Sequence, residues 1–123
     1  MLFRSAPTLW LACLCAAWCR TCDGYRPVLD EAAAEAAAAH PGLRVRWVDI
    51  EDEAELLGEV DIETFPTLLV ADERAVRFFG PLTPQLDTLK RVLRAALAPD
   101  AAPAPVAPEV TALAARLRAA VAA

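Results

Sequence analysis

The sequence is poor in the residues that build many active sites and structural frameworks. It contains one histidine and four glycines, and its four cysteines all lie between positions 13 and 22. It has no Ser-His-Asp catalytic set and no glycine-rich phosphate loop. Cysteines confined to one short stretch cannot staple distant loops together, so a disulfide framework is excluded. The cysteine-rich stretch is therefore the first candidate for chemistry.

Positive charge and long apolar runs are scarce as well. The 12 basic residues are outnumbered by 17 acidic ones, and the formal net charge of −5 argues against nucleic acid as a partner. The run Leu9–Ala17 is far too short for a transmembrane helix, so we expect no membrane partner. Arg4 followed by this run resembles a short secretory signal, but cleavage there would remove the strand that positions the later cysteines. We expect a cytoplasmic protein of bacterial type, with a periplasmic location less favoured.

A Cys-x-x-Cys pair, Cys19 and Cys22, follows the apolar run. We predict that the run is a strand and that a helix begins at Arg20, which places the two cysteines on one helical face about one turn apart. The free N–H groups and the dipole of a helix N-terminus favour an anion and would activate Cys19 as a thiolate nucleophile. Arg20 adds a cation beside it, and Trp18 can shield one side. Cys22, which should be more buried, would resolve the mixed disulfide.

The same cysteines have other interpretations. A Cys-x-x-Cys pair can be half of a zinc site or two packed apolar residues, and with Cys13 and Cys15 nearby an iron–sulfur cluster is a further alternative. The strand-then-helix context favours redox chemistry, and strand geometry should spread the sulfurs, so we predict no metal. Cys13 and Cys15 alternate along one strand and share a face. They either pack in the core or place Cys13 beneath Cys22, where the two could exchange disulfides.

Hydrophobic patterning predicts an α/β fold in the order β-α-β-α-β-β-α. A central mixed four-stranded sheet would be flanked by helices on both faces, with an extra C-terminal helix after it. The predicted strands cover residues 8–15, 43–50, 67–71 and 75–79. The predicted helices cover 20–39 and 52–58, followed by a third helix with Thr83 as its cap and Pro84 at its first position. Gly80-Pro81 is expected to end the last strand.

From Leu9 to Leu97 the chain resembles the thioredoxin family. The resemblance is carried, in the family's order and spacing, by Ala17-Trp18-Cys19-x-x-Cys22, Pro27, Val48-Asp49-Ile50, Ile62–Thr67 and Gly80. It implies the thioredoxin fold and a thiol–disulfide oxidoreductase. It also implies that the redox-active disulfide joins Cys19 to Cys22 and that no other cofactor is needed.

The resemblance also implies a substrate-binding segment. In the family, the proline of the corresponding element is cis and lies against the Cys-x-x-Cys pair, so Pro66 is expected to be cis. It would hold the backbone of Phe65 exposed beside Cys19, where a substrate strand can pair with it. Thr64, Phe65 and Pro66 are therefore the predicted substrate-binding residues. An ordinary turn proline before a strand is the simpler alternative.

The sequence departs from the family around the cysteines. Thioredoxins carry Gly-Pro between them, whereas this chain has Arg20-Thr21, which we expect to stabilise the thiolate and make the disulfide more oxidising. In the family, a buried acid lies six residues before the first cysteine, and here that position is Cys13. The resemblance therefore does not extend to the acid's help in deprotonating the second cysteine. The predicted environment of the catalytic pair is thus Trp18, Arg20, Thr21 and Cys13.

The family's usual first strand and first helix are absent from this chain. Without them the strand at 43–50 becomes an exposed sheet edge and one apolar face loses its cover. We divide the chain into a thioredoxin-like domain (1–98), an Ala/Pro-rich linker (99–108) and an amphipathic helix (109–123). We expect this helix to fill the gap, within the chain or across a homodimer, with Leu113 and Leu117 as anchors. A homodimer through the exposed edge and a tail that docks nowhere are the alternatives.

The sequence therefore predicts dithiol–disulfide exchange on protein substrates, with Cys19 as nucleophile and Cys22 as resolving cysteine. The partners would be protein disulfides and a thiol reductant or reductase that the sequence does not identify. The alternative is a thioredoxin-fold binding module or redox sensor that docks a partner without catalytic turnover.

Overall fold

A computed structural model describes residues 7–122 and contains one four-stranded sheet in that range. The strands are β1 (Leu9–Cys15), β2 (Leu43–Asp49), β3 (Thr67–Ala71) and β4 (Val76–Pro81). The helices are α1 (Arg20–Ala39), α2 (Ala54–Leu57), α3 (Leu86–Leu97) and α4 (Pro108–Ala122). The predicted α/β fold with a mixed sheet and an additional C-terminal helix is confirmed. Arg4, part of the signal-like pattern, lies outside the described residues.

The strand order is β2-β1-β3-β4. β1 pairs parallel with β2 and antiparallel with β3, and β3 pairs antiparallel with β4. Every residue of β1 is buried, as its continuous apolar sequence predicts for a central strand covered on both faces. β2 stands at one edge of the described sheet, as the sequence predicts for the strand at 43–50.

One face of the sheet is covered by α1 and α3. Cys13 and Leu68 from the sheet, Tyr25 from α1 and Leu89 from α3 are all fully buried in a single cluster. At the rim of this cluster, Lys90 of α3 forms an ion pair with Glu35 of α1 at 3.0 Å. An ion pair at the surface contributes little to stability, so apolar burial is what holds these layers together.

The other face is covered by α4. Leu113 and Leu117 are 0% and 2% exposed and pack in one cluster with Leu14 of β1 and Leu69 of β3. Arg116 of α4 donates from Nε to the Leu56 carbonyl at 2.6 Å and from Nη2 to the Leu57 carbonyl at 3.0 Å. These bonds satisfy carbonyls at the C-terminal end of α2. The expected anchoring of the C-terminal helix by the two leucines is confirmed, and the contact is made within the chain.

The Ala/Pro-rich segment before α4 lies along β4. The Ala104 N–H donates to the Val76 carbonyl at 2.8 Å, and the Arg77 side chain donates to the Ala101 carbonyl. The segment therefore has fixed contacts with β4 at the edge of the sheet, and it connects to α4 on the face opposite to α1 and α3. None of the helices in the described range is both long enough and apolar enough to cross a membrane.

Several predicted boundaries differ from the structure. β2 ends at Asp49 and not at residue 50, α2 is shorter than the predicted 52–58, and α4 begins one residue before the predicted start. The larger differences are at β4 and α3. β4 continues through Gly80 to Pro81, which pairs with Thr67, because an edge strand tolerates a proline that cannot donate to the ladder. α3 begins at Leu86 with Gln85 as its N-cap, so Thr83 is not the cap. The Gln85 N–H donates to the Thr83 carbonyl at 2.8 Å in a tight turn that precedes the helix.

Candidate active site

The site lies where β1 ends and α1 begins. Cys19 is the N-cap residue of α1, with extended backbone angles and no side-chain capping hydrogen bond. Its N–H donates to the Ala16 carbonyl at 3.0 Å, and its own carbonyl accepts from the Asp23 N–H at 3.3 Å. These bonds fix the Cys19 backbone at the positive end of the helix dipole and leave its sulfur free of capping.

The structure joins Cys22 to Cys15 by a disulfide, with the two Cα atoms 5.9 Å apart. Cys19 carries a free thiol and is partly buried. The pairing differs from the Cys19–Cys22 disulfide that the family resemblance implies. The reason is topological: Cys15 ends β1 and Cys22 lies one turn into α1, so both sulfurs meet in the core between sheet and helix, where each residue is 1% exposed.

Cys13 lies deeper on the same face of β1. It is 0% exposed and its Sγ is 3.9 Å from the Sγ of Cys15. Burial raises the pKa of the Cys13 thiol to about 12, although the positive charge of Arg26 lowers it in part. Cys13 is therefore a protonated core thiol at neutral pH. Of the two alternatives predicted for Cys13, the structure shows packing in the core, and Cys15 takes the position next to Cys22.

A small aromatic surface lies beside the cysteines. Trp18 is 66% exposed, and its ring meets the ring of Phe65 edge to face with centroids 5.5 Å apart. The Phe65–Pro66 peptide bond is cis, and Pro66 is buried. Thr64 is exposed, and its carbonyl accepts from the Thr67 hydroxyl at 2.6 Å. Cys19 and Phe65 pack against the same core cluster, so the fold brings these distant parts of the sequence together.

Arg20 and Thr21, the residues between the two cysteines, are both exposed in the first turn of α1. Their side chains thus belong to the surface that any approaching protein would meet around Cys19. Asp23 is exposed as well, as its position in the first helical turn predicts.

A cleft of about 410 Å³ lies next to Cys22, between the start of α1 and the end of β2. The cleft is lined by Ala16, Ala17, Cys22, Asp23, Arg26, Trp47 and Asp49. The Arg26 guanidinium lies 4.5 Å from the centroid of the Trp47 ring, a cation–π contact that fixes one wall. Hydrogen bonds from the N–H groups of Asp52 and Glu51 lower the pKa of Asp49, so its carboxylate stays ionised. The cleft therefore combines charges of both signs next to the buried disulfide.

Sequence reasoning missed the role of Cys15 and the walls of this cleft. The alternation of Cys13 and Cys15 along β1 predicts that their side chains share one face of the sheet, but it does not predict which of the two contacts α1. That choice depends on the course of residues 16–18, which carry no periodic signal. The register between β1 and β2, which sets Asp49 opposite Cys15, could not be read from the sequence either.

Comparisons with known proteins agree with the fold. A search of curated proteins found no match. Among solved structures, the first thioredoxin domain of mouse protein disulfide-isomerase A4 aligns with TM-score 0.65 and 19% identity, covering 80% of this chain and 70% of that one. The germline-specific thioredoxin Deadhead of Drosophila melanogaster aligns with TM-score 0.61 and 15% identity over 72% of this chain and 80% of that one. The oxidised thioredoxin of Plasmodium falciparum gives TM-score 0.58 and 19% identity over the same shares, 72% and 80%.

At these identities the structural likeness establishes the fold alone. The family model described as Thioredoxin, however, matches residues 4–93, which is more than half of the chain. Sequence and fold thus agree, and the chain belongs to the thioredoxin family.

Proposed function

We propose that the protein is a thiol–disulfide oxidoreductase that acts on protein disulfides, with Cys19 as its nucleophile. The observation that carries the proposal is the state of the four cysteines. Cys19 is unpaired, partly exposed and located at the N-terminus of α1, whereas Cys13, Cys15 and Cys22 are buried. Cys19 is the one sulfur of the four that a substrate can reach, so it is the sulfur best placed to attack a substrate disulfide.

In the reducing direction, the Cys19 thiolate attacks one sulfur of a substrate disulfide and forms a mixed disulfide, releasing the other substrate sulfur as a thiol. Cys22, one turn further along α1, then attacks the Cys19 sulfur and releases the reduced substrate. A thiol reductant or reductase returns the protein to its dithiol form. The cycle uses only cysteine sulfurs and protons, so it needs no added cofactor.

The surface around Cys19 suits an extended protein segment. The exposed Trp18 and the partly buried Phe65 offer apolar contact area, and Thr64 to Pro66 supply backbone beside it. A substrate strand paired with this backbone would bring its disulfide to Cys19. Arg20 and Thr21 would contact the substrate on the helix side.

A second candidate function is a binding module that holds a partner through a mixed disulfide. It is favoured by the bond between Cys22 and Cys15, because a partner attached to Cys19 then has no resolving thiol. In that case the protein would retain its partner until an external thiol released it.

Insulin reduction tests the proposal. The wild-type protein should accelerate the reduction of insulin disulfides by dithiothreitol, and C19S should lower the rate to that of dithiothreitol alone. C13A is the matched control, because Cys13 is buried and should leave the rate unchanged. A C19S variant as active as the wild type would refute the proposal. Accumulation of a Cys19–insulin adduct without turnover would favour the binding module instead.

A further inference from the structure

We propose that Cys15 is a third member of the redox centre and that Cys22 exchanges partners between Cys19 and Cys15. The oxidised protein would then hold its disulfide in a buried form while Cys19 stays free at the surface. This inference deepens the proposed function and rests on it, because it uses Cys19 as the sulfur that meets substrates.

The accessibility of the sulfurs requires such an exchange. The disulfide joins Cys15 and Cys22, and each of these residues is 1% exposed. At this exposure, neither sulfur is presented to a protein substrate or a reductase. Cys19 is partly exposed and packs against the cluster that contains both of them. Any disulfide exchange between the buried pair and an outside protein therefore has to pass through Cys19.

Cys22 is the cysteine that both Cys15 and Cys19 can reach. It lies three residues after Cys19 on the first turn of α1, and its Cα is 5.9 Å from that of Cys15. Cys13 is close to Cys15, with 3.9 Å between their sulfurs, but its thiol stays protonated because burial raises its pKa to about 12. Cys13 is thus a spectator, and the exchange involves Cys15, Cys19 and Cys22.

The exchange is balanced in atoms and electrons. The Cys19 thiolate attacks the Cys22 sulfur, the Cys19–Cys22 bond forms, and the Cys15–Cys22 bond breaks. Cys15 leaves as a thiolate and takes up the proton that Cys19 has lost. One disulfide and one thiol are present before and after the step, so no oxidant or reductant is consumed.

Exposure distinguishes the two oxidised forms. In the form that the structure shows, Cys15 and Cys22 are joined in the core, and the free thiol is Cys19, which is partly exposed at the N-terminus of α1. In the other form, the disulfide would include the accessible Cys19, and the free thiol would be the buried Cys15. The Cys15–Cys22 form is therefore the resting oxidised state, and the Cys19–Cys22 form is the one that substrates and reductases can reach.

Disulfide mapping of the full-length oxidised protein tests this inference. Free thiols are blocked with iodoacetamide, disulfides are reduced and labelled with N-ethylmaleimide, and the tryptic peptides are fragmented. Trypsin cleaves after Arg20 and so separates Cys22 from Cys15 and Cys19. We expect the second label on Cys15 and Cys22 in the wild type and in C13A, and on Cys19 and Cys22 in C15A. A wild type labelled only on Cys19 and Cys22 would overturn the inference, with no variant required.

A kinetic measurement then tests the path through Cys19. In C19A the Cys15–Cys22 disulfide should be reduced by dithiothreitol about tenfold more slowly than in the wild type, because the accessible sulfur is gone. C13A should match the wild type. Equal rates in C19A and wild type would overturn the relay. Insulin reduction tests the proposed function separately. If the protein reduces insulin through Cys19 while Cys15 stays a free thiol, the relay is refuted and the proposed function is supported.

Discussion

Leu113 connects α4 to the sheet, and its replacement by alanine gives a direct measure of how much this helix stabilises the fold. The side chain is 0% exposed and packs in the cluster that includes Leu14 of β1 and Leu69 of β3. L113A removes three carbon atoms from this position. At about 0.8 kcal/mol for each buried carbon, the lost transfer free energy is about 2.4 kcal/mol.

The cavity left behind adds to this loss. Leucine-to-alanine changes in tightly packed cores cost about 2–5 kcal/mol in total, so we expect about 3 kcal/mol here. With a urea m-value of about 2 kcal/mol/M for a domain of this size, the midpoint of unfolding should fall by about 1.5 M.

Urea unfolding followed by tryptophan fluorescence measures this shift. T111A is the matched control, because Thr111 is exposed on the same helix and its replacement should change the free energy of unfolding by no more than about 0.5 kcal/mol. If L113A and T111A unfold at the same urea concentration, α4 does not stabilise the sheet in solution, and the account of its packing is refuted.

Two further predictions concern stability away from the cysteines. Gly58 has φ +59°, and a Cβ placed there would lie 2.5 Å from a guanidinium nitrogen of Arg116. G58A should therefore lower the free energy of unfolding by about 1–2 kcal/mol. G24A is the control, because a Cβ at Gly24 meets no atom within 4 Å, and it should not lower this free energy. Equal urea midpoints for G58A and G24A would contradict the prediction. Burial alone would raise the pKa of Asp72, but hydrogen bonds from Arg77 and from two backbone N–H groups outweigh it and lower the pKa. The ionised carboxylate then stabilises the fold above the ordinary aspartate pKa of about 3.9, and this effect is lost as the pH falls through the lowered pKa of the folded state. The difference in the free energy of unfolding between wild type and D72N should therefore narrow as the pH falls below about 4. A gap that is constant with pH would contradict it.

Local signals account for the parts of the fold that the sequence predicts best. α1 ends at Ala39 because an alanine-rich stretch of high helix propensity is followed by Pro41-Gly42. β1 was recognised as a central strand because it is apolar at every position. Both features depend only on neighbouring residues, and both agree with the structure.

Features set by tertiary contacts could not be predicted in this way. A strand through Pro81 is allowed only because β4 is an edge strand, a fact that belongs to the sheet and not to the Gly80-Pro81 dipeptide. Likewise, the Cys-x-x-Cys spacing locates Cys19 and Cys22 relative to each other, but the pairing of Cys22 with Cys15 depends on how β1 docks beneath α1. The location of the active site along the chain therefore stays a prediction from the Cys-x-x-Cys spacing, while the disulfide connectivity required the fold.

The order of synthesis gives α4 a further consequence. β1 leaves the ribosome before α4, the helix that packs on one of its faces. Until that helix is made, the face that carries Leu14 and Leu69 lacks the contacts of Leu113 and Leu117, and a nascent chain with such an exposed apolar surface is prone to aggregate. Completion of this core must therefore wait until α4 has been made. A premature stop that removes only α4 would leave every cysteine in place and still produce a protein that aggregates.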